Sequence, residues 1–197
     1  MGATGPVPVT WRRIAIRPDG AQPRWGSARV PRGPNVPHRT RPAPPALEIV
    51  PVIRGLLDLF RAKRLPAPPG APRGFGLPSS SCLEGTPSAE TVPALAPGPD
   101  EPVFRKRGYD GFAGTSLDGA LRARGVTSLI VTGTMTDICV LATVIGALHR
   151  EYRVSVVEDG VATLWPEIQR ATLDIIGRAY GRIVTSKDIG RQISSWS

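Results

Sequence analysis

Side chains that carry out covalent or metal chemistry are scarce in this chain of 197 residues. Its only cysteines are Cys82 and Cys139, and its only histidines are His38 and His149. Two cysteines do not make a disulfide framework, and a chain without one is expected in a reducing compartment. The sequence therefore predicts a cytoplasmic protein and argues against a disulfide-stapled secreted scaffold.

Long apolar runs are also missing. No run reaches the roughly 18 residues that a membrane span requires. The first residues lack the charged segment followed by an apolar segment that marks a secretory signal. The length and a hydrophobic content of 41% are ordinary for one domain with a sizeable core. We expect no membrane partner.

Positive charge is concentrated at the start of the chain. Residues 1–46 carry eight arginines and a single acid, Asp19, so they hold +7 of the net charge of +9. Residues 1–45 are an irregular basic segment rich in Pro and Arg, in which only "WRRIAIRP" could form a short strand. A basic arm can contact nucleic acid, but this one has no binding motif and no interleaved aromatics. We therefore expect no nucleic-acid partner.

Regular apolar spacing begins near residue 46 and defines a second region, 46–197. Residues 46–64 show helical spacing with Pro51 in the first turn, whereas the Pro- and Gly-rich residues 65–81 break the pattern. Strands and helices then alternate, which predicts a parallel sheet covered by helices on both faces. The predicted strands are the start of 102–112, then 126–133, 153–159 and 182–186, and the predicted helices are 115–125, 136–152, 166–181 and 187–193.

Cys139 occupies the position of greatest chemical interest. It follows the apolar strand 126–133 and lies in the first turn of the next helix, and ligand sites form at the carboxyl ends of parallel strands. Helix N–H groups and the helix dipole favour a thiolate and can hold an oxyanion. A free cysteine here could equally be a small buried core residue.

A nucleophilic cysteine needs a nearby base or cation. His149 is ten residues beyond Cys139 at the other end of the same helix, and His38 lies in the irregular segment, so we do not expect a Cys-His pair. Of the three lysines, Lys106 ends a strand directly before "RGYDGF". Lys106 is the candidate cation, although a lone lysine is usually a solvated surface group.

The stretch "KRGYDGFAGTSLDGALRARGVTSLIVTGTMTDICVLAT" resembles the core of the isochorismatase-like cysteine hydrolase family. That family carries a lysine, then Tyr-x-x-Phe, Thr-x-Leu and a strand ending in Gly-x-x-Thr-[Asn/Asp]-x-Cys-Val. "CLEGTPSAETVPAL" (82–95) resembles the family's Gly-Thr-Pro-x-Ala-Glu segment, and "VVEDGVATLWPEIQRATLDIIGRAYGRIVTS" resembles its closing strand-helix-strand. The helix at 46–64 fits the family's first helix, so the likeness covers about 46–64 and 82–190. The matching positions are Lys106, Tyr109, Phe112, Thr115, Leu117, Gly133, Thr136, Asp137, Cys139 and Val140.

The resemblance implies a three-layer α/β/α sandwich around a parallel β-sheet, assembled as a homodimer or homotetramer. It implies that Cys139 is the nucleophile and that Lys106 stabilises its thiolate. A cis peptide would fall at Thr134–Met135, and the N–H groups of Met135 and Cys139 would form the oxyanion hole. Asp137 would support the helix start, although the helix dipole alone explains a first-turn acid equally well.

Three residues are candidates for lining the substrate pocket, namely Tyr109, Phe112 and Thr134. Core packing is an equally good interpretation of Phe112. The implied reaction is cleavage of a C–N bond in a small amide or ureido compound, through a covalent thioester on Cys139. It needs no cofactor.

The family's catalytic aspartate is the part of the pattern that this sequence does not reproduce. That residue lies in a stretch like Ile-Asp-x-Gln-x-x-Phe, and here the only acid before Glu48 is Asp19, whose neighbours differ. Residues 65–81 also lack the Asp-x-His metal site of zinc-dependent nicotinamidases, so we expect no metal. Whether Asp19 replaces the family aspartate stays open.

Residues 1–45 and 65–81 share a composition that GC-rich DNA yields when it is read in a wrong frame. If they are out of frame, the first strands of the sheet are disrupted, a sheet edge is left unpaired and the chain is marginally stable. The alternative prediction is therefore a catalytically defective family member, with a binding or assembly role or as the product of a frame-disrupted gene.

Overall fold

The computed structural model describes residues 47–65, 70–71 and 91–194. The predictions for Asp19, His38, Cys82 and the segment 1–45 lie outside these residues. The helices are α1 (Val50–Ala62), α2 (Leu117–Arg122), α3 (Leu141–Leu148), α4 (Pro166–Ala179) and α5 (Ser186–Ser194), with a 3-10 helix at Pro93–Leu95 and a π-helical turn at Thr136–Val140. The strands are β1 (Gly70–Ala71), β2 (Phe104–Arg105), β3 (Ser128–Thr134), β4 (Arg153–Ala162) and β5 (Arg182–Val184).

Parallel strands form the centre of the fold. β3, β4 and β5 lie side by side in that order, and both pairs are parallel. All seven residues of β3 are buried, as its continuous apolar run predicts for a strand covered on both faces. Among the described residues, β3 has a strand partner on one edge only, and β1 with β2 forms a separate parallel pair.

Helices cover both faces of the sheet. Successive residues of a strand point to opposite faces, and in β3 the side chains of Leu129 and Val131 pack in a cluster with residues of α2, α3 and α4. Ile130 points the other way and packs with residues of α1 and α5. These two clusters confirm the predicted α/β/α sandwich.

A bulge in β4 shapes the carboxyl end of the sheet. Val131 pairs with Val156 but Gly133 pairs with Val161, so β4 carries three more residues than β3 between the two points. Asp159 lies in this bulge, and its carboxylate accepts hydrogen bonds from the backbone N–H and the hydroxyl of Ser186. The bulge therefore holds the first residue of α5 against β4.

Most element predictions are confirmed, with two differences. The segment 65–81, whose Pro- and Gly-rich pattern predicted no strand, contains β1, because pairing with β2 uses backbone groups and needs no apolar period. The predicted helix 136–152 begins as a π-helical turn and ends earlier, with His149 as its C-cap. None of the helices in the described part of the chain is long and apolar enough to cross a membrane.

Candidate active site

Cys139 lies at the carboxyl end of the central strand. β3 ends at Thr134, the Thr134–Met135 peptide bond is cis, and the π-helical turn that carries Cys139 follows at once. The cis bond confirms the expectation drawn from the family resemblance. The π-helical turn continues directly into α3, so the cysteine belongs to the first turns of a continuous helical segment.

Lys106 is buried beside this cysteine. Its side chain is only 1% exposed, and Nζ donates to the carbonyl oxygens of Gly108 at 2.7 Å and Tyr109 at 3.0 Å. Lys106 also acts on Cys139 through its charge and through a side-chain hydrogen bond. An ammonium has three N–H donors, and the two carbonyl oxygens engage two of them.

Burial raises the pKa of the Cys139 thiol above its ordinary value, and this is the largest influence on it. Lys106 opposes the rise by charge and by hydrogen bonding, and a backbone hydrogen bond from Met135 also lowers the pKa, whereas the charge of Asp137 raises it. The sequence predicted that the helix start would favour a thiolate. In the structure desolvation outweighs the favourable contacts, because a charged sulfur is costly in an apolar surrounding.

Asp137 ties the cysteine-bearing turn to the neighbouring strand. Its Oδ1 accepts a hydrogen bond from the Thr163 hydroxyl at 2.5 Å. Thr163 directly follows β4 and is buried. The sequence analysis missed Thr163 because it ended the predicted strand at Asp159. A strand extended to Ala162 would have placed Thr163 at its carboxyl end, where site residues are expected.

The three candidate pocket residues have different environments. Tyr109 is 39% exposed and Thr134 is buried at the end of β3. Phe112 belongs to the core, where its ring stacks on Tyr152 with 5.7 Å between the centroids. Of the three, Tyr109 is the one with substantial surface in contact with solvent.

The loop that follows Lys106 lies against α3. The Gly111 N–H donates to Thr143 Oγ1 at 2.6 Å, and Asp110 Oδ1 accepts from the Phe112 N–H at 2.8 Å. The Asp110 carboxylate approaches the helix so closely that a Cβ at Gly146 would lie 2.5 Å from its Oδ1. Sequence reasoning missed Thr143 and Gly146, although they follow Cys139 by four and seven residues and so share its side of the helix.

The other candidate groups lie elsewhere. His149 is exposed at the far end of α3, so within the described residues Cys139 has no histidine partner. The part of the chain that the structure describes contains no group of three or more His, Cys, Asp or Glu side chains arranged to hold a metal ion. The chemistry available at the carboxyl end of β3 is that of a buried thiol, an ammonium and backbone N–H groups.

Comparisons with known proteins agree with this geometry. Ureidoacrylate amidohydrolase RutB of Methylobacterium radiotolerans is 44% identical over 91 residues, which are 46% of this chain and 35% of the relative. RutB of Agrobacterium fabrum is 35% identical over 112 residues, 56% of this chain and 49% of the relative. The chain thus spans between about a third and a half of the length of these curated relatives.

Solved structures match over more of the chain. A cysteine hydrolase from Pseudomonas syringae pv. phaseolicola has 29% identity and a TM-score of 0.68, covering 78% of this chain and 83% of its own. N-carbamoylsarcosine amidase from Thermoplasma acidophilum has 30% identity and a TM-score of 0.66, covering 72% and 84%. The family model of the isochorismatase domain matches residues 38–188. This protein therefore belongs to the isochorismatase family of cysteine hydrolases.

Proposed function

We propose that this protein is a cysteine hydrolase that cleaves a C–N bond of a small amide or ureido compound. The observation that carries the proposal is the buried Lys106 ammonium, which is held by two carbonyl oxygens and acts by charge and hydrogen bonding to lower the pKa of Cys139. A cation in that position stabilises a developing thiolate. The names of the matched relatives support the substrate class, because ureidoacrylate and N-carbamoylsarcosine are both ureido compounds.

The proposed reaction has two covalent steps. The sulfur of Cys139 attacks the carbonyl carbon, a C–S bond forms, and the C–N bond breaks as the nitrogen leaves with a proton as ammonia or an amine. The backbone N–H groups of Met135 and Cys139 would hold the negative oxygen of the tetrahedral intermediate. Water then attacks the thioester carbon, the acid is released and the thiol is restored.

A base must accept the thiol proton, because burial raises the pKa of Cys139. Lys106 cannot serve as an ammonium, because an ammonium has no lone pair to accept a proton. Asp137 accepts a hydrogen bond from the Thr163 hydroxyl, which fits the supporting role predicted for it at the helix start. We propose Asp19 for this role, because it is the only acid in residues 1–46, where the family places its catalytic aspartate.

We place the substrate pocket beside Cys139. Tyr109 would contribute to its wall, because its side chain is 39% exposed and its backbone carbonyl binds Lys106. Thr134 would border the pocket through the backbone of the cis turn. Phe112 would support this wall from behind, because it packs in the core.

We also propose that the protein acts in the cytoplasm as a homodimer or homotetramer. Large apolar side chains are exposed directly after Thr163, with Leu164 at 71% and Trp165 at 52% exposure, and Ile168 follows at 39%. A patch of this kind beside a candidate site is typical of an interface. Light scattering of Trp165→Ser should show a smaller particle than the parent chain, and an unchanged mass would contradict this interface.

A trapping experiment tests the function directly. The Cys82→Ser chain, in which Cys139 is the sole cysteine, would be incubated with ureidoacrylate, N-carbamoylsarcosine and simple amides. We expect ammonia or amine release and a transient mass increase on Cys139, both absent in Cys139→Ala. Absence of any adduct or release across the panel would contradict the proposal.

The raised pKa of Cys139 favours one alternative, a catalytically defective family member. Such a protein would hold an ordinary protonated thiol and turn over no amide. Translating the underlying DNA in all three frames adds a test, because an Ile-Asp-x-Gln-like strand in another frame upstream of codon 46 would identify a frame-disrupted gene. Finding none would remove that explanation.

A further inference from the structure

The carbonyl oxygen of Tyr109 connects the candidate cation to the helix of the candidate nucleophile. It accepts from Lys106 Nζ at 3.0 Å and also faces the hydroxyl of Thr143 at 3.5 Å. We propose that Thr143 is a positioning residue that fixes Lys106 against Cys139. This inference rests on the proposed function, since Thr143 has such a role only if Lys106 acts on the thiol.

Thr143 stands where it can link the two groups. It follows Cys139 by four residues in a continuous helical segment, so both side chains lie on one side of the helix. Its hydroxyl accepts from the Gly111 N–H at 2.6 Å while it faces the Tyr109 carbonyl. One hydroxyl can donate once and accept twice, so Thr143 can satisfy both neighbours at once.

These contacts close a ring. The charge of Lys106 acts on Cys139, Lys106 binds the carbonyls of the loop that follows it, the loop rests on Thr143, and the helix leads back to Cys139. The distance from ammonium to sulfur is therefore fixed by how the loop seats on α3. Lys106 and Thr143 are both buried, so solvent does not offer replacement partners readily.

A second contact seats the same loop one helical turn further along. The Asp110 carboxylate lies against Gly146, where a Cβ would come within 2.5 Å of Oδ1 and 2.7 Å of Oδ2. The same Oδ1 accepts from the Phe112 N–H, so the carboxylate has little freedom to move aside. Thr143 and Gly146 thus form a seat for the loop, and Thr143 supplies the hydrogen bond.

The test measures the alkylation rate of Cys139 against pH in the full chain carrying Cys82→Ser. Thr143→Val keeps the side-chain shape but removes the hydroxyl, and Thr143→Ser restores it. Loss of Lys106 should lower the rate at neutral pH about tenfold, because an adjacent opposite charge shifts a pKa by a unit or more. We expect Thr143→Val to lower it by about threefold, a part of that effect, and Thr143→Ser to recover most of the loss.

Two further variants separate positioning from general stability. Thr172→Val removes another buried threonine hydroxyl, on α4, and should leave the alkylation curve unchanged whatever it does to the melting temperature. Gly146→Ala should displace Asp110 and move the curve in the same direction as Thr143→Val, which keeps the test available if Thr143→Val fails to fold. In a Lys106→Ala background, Thr143→Val should add no further shift.

The outcomes are distinguishable. If Lys106→Ala shifts the curve while Thr143→Val and Gly146→Ala lower only the melting temperature, the positioning role is overturned and the proposed function stands. If Lys106→Ala itself leaves the curve unchanged, the proposed function fails. A Thr143→Val shift that persists in full without Lys106 would also overturn the inference, because the effect would not pass through the ammonium.

Discussion

The two ends of the parallel sheet offer different kinds of space. At the amino end, a cavity of about 550 Å³ opens among the starts of β3, β4 and β5, lined by residues that include Ser128, Tyr152, Tyr180 and Arg182. At the carboxyl end, the thiol of Cys139 sits against a buried ammonium and a short helical turn. Among the described residues, this cavity and the thiol of Cys139 thus lie at opposite ends of the sheet.

The difference teaches that the reactive groups of this fold are placed by strand direction, because they gather at the carboxyl ends of the strands. Residues that follow the carboxyl ends of neighbouring strands meet there, as Asp137 does with Thr163, and the helical segment that carries Cys139 begins beside them. The amino end instead holds aromatic packing, with Tyr152 donating to Asp118 at 2.7 Å.

The largest expected effect comes from removing the sulfur. Cys139→Ala should abolish the proposed amide or ureido hydrolysis, by at least about a thousandfold in kcat/KM, because it removes the sulfur on which the thioester is proposed to form. The fold should persist, since the change removes one buried atom. Activity assays with circular dichroism check this, using Tyr180→Phe at the amino end as the matched control that should retain turnover. An equal loss of kcat/KM in Cys139→Ala and Tyr180→Phe would contradict the assignment of catalysis to the carboxyl end.

The second effect concerns pH. Burial raises the pKa of Cys139 and Lys106 lowers it, so the thiolate fraction rises with pH and removal of the cation moves the curve upward. Lys106→Ala should shift the midpoint of Cys139 alkylation to higher pH by about one unit. Stopped-flow alkylation across pH measures it, and Lys187→Ala, at an exposed site on α5, is the control. A downward shift would contradict the assigned contact.

A third effect belongs to the amino end and should change stability alone. A Cβ at Gly181 would lie 2.7 Å from the Val154 carbonyl oxygen, which is backbone and cannot step aside. Gly181→Ala should lower the free energy of unfolding by about 1–3 kcal/mol, the cost of overpacking. Urea unfolding measures it, with Gly190→Ala as control because nothing lies within 4 Å of its Cβ position. A normal Cys139 alkylation curve in folded Gly181→Ala would sharpen the separation of the two ends.

The smallest effect is expected from one hydroxyl. Tyr152→Phe removes the donor to Asp118 and should cost about 1 kcal/mol, the usual net value of such a bond. The aromatic stack with Phe112 would remain. Thermal unfolding checks this, and Cys139 reactivity should stay within error of the parent. An altered alkylation rate would mean that the amino end communicates with the thiol.

Local patterns were sufficient to predict the elements with strong periodicity. The continuous apolar run of β3 predicts a buried strand from neighbouring residues alone. A proline in the first turn restricts φ to helical values, which predicts the starts of α1 at Pro51 and of α4 at Pro166. β1 was missed because two residues carry no period. The bulge of β4 was missed because it depends on pairing with β3 and on the hydrogen bond that the Ser186 N–H donates to the Asp159 carboxylate.

The residues of the candidate site also fall into two groups, those predicted from local sequence and those that were missed. Cys139 and Lys106 were predicted from a strand-turn-helix pattern and the family motif. Thr143, Gly146 and Thr163 were not, because each acts through a contact with a residue 26 or more positions away. The raised pKa of the thiol was missed for a related reason: the sequence gives the helix start, but burial is a property of the packed chain.

The burial of Lys106 has a practical consequence for labelling. The chain has three lysines, and Lys63 and Lys187 are exposed whereas Lys106 is enclosed and hydrogen-bonded. Amine-reactive dyes and cross-linkers should therefore modify two lysine side chains in the native protein and the third only after unfolding. Mass spectrometry of the labelled protein would then measure the fraction of molecules in which Lys106 is buried, and this measurement needs no substrate.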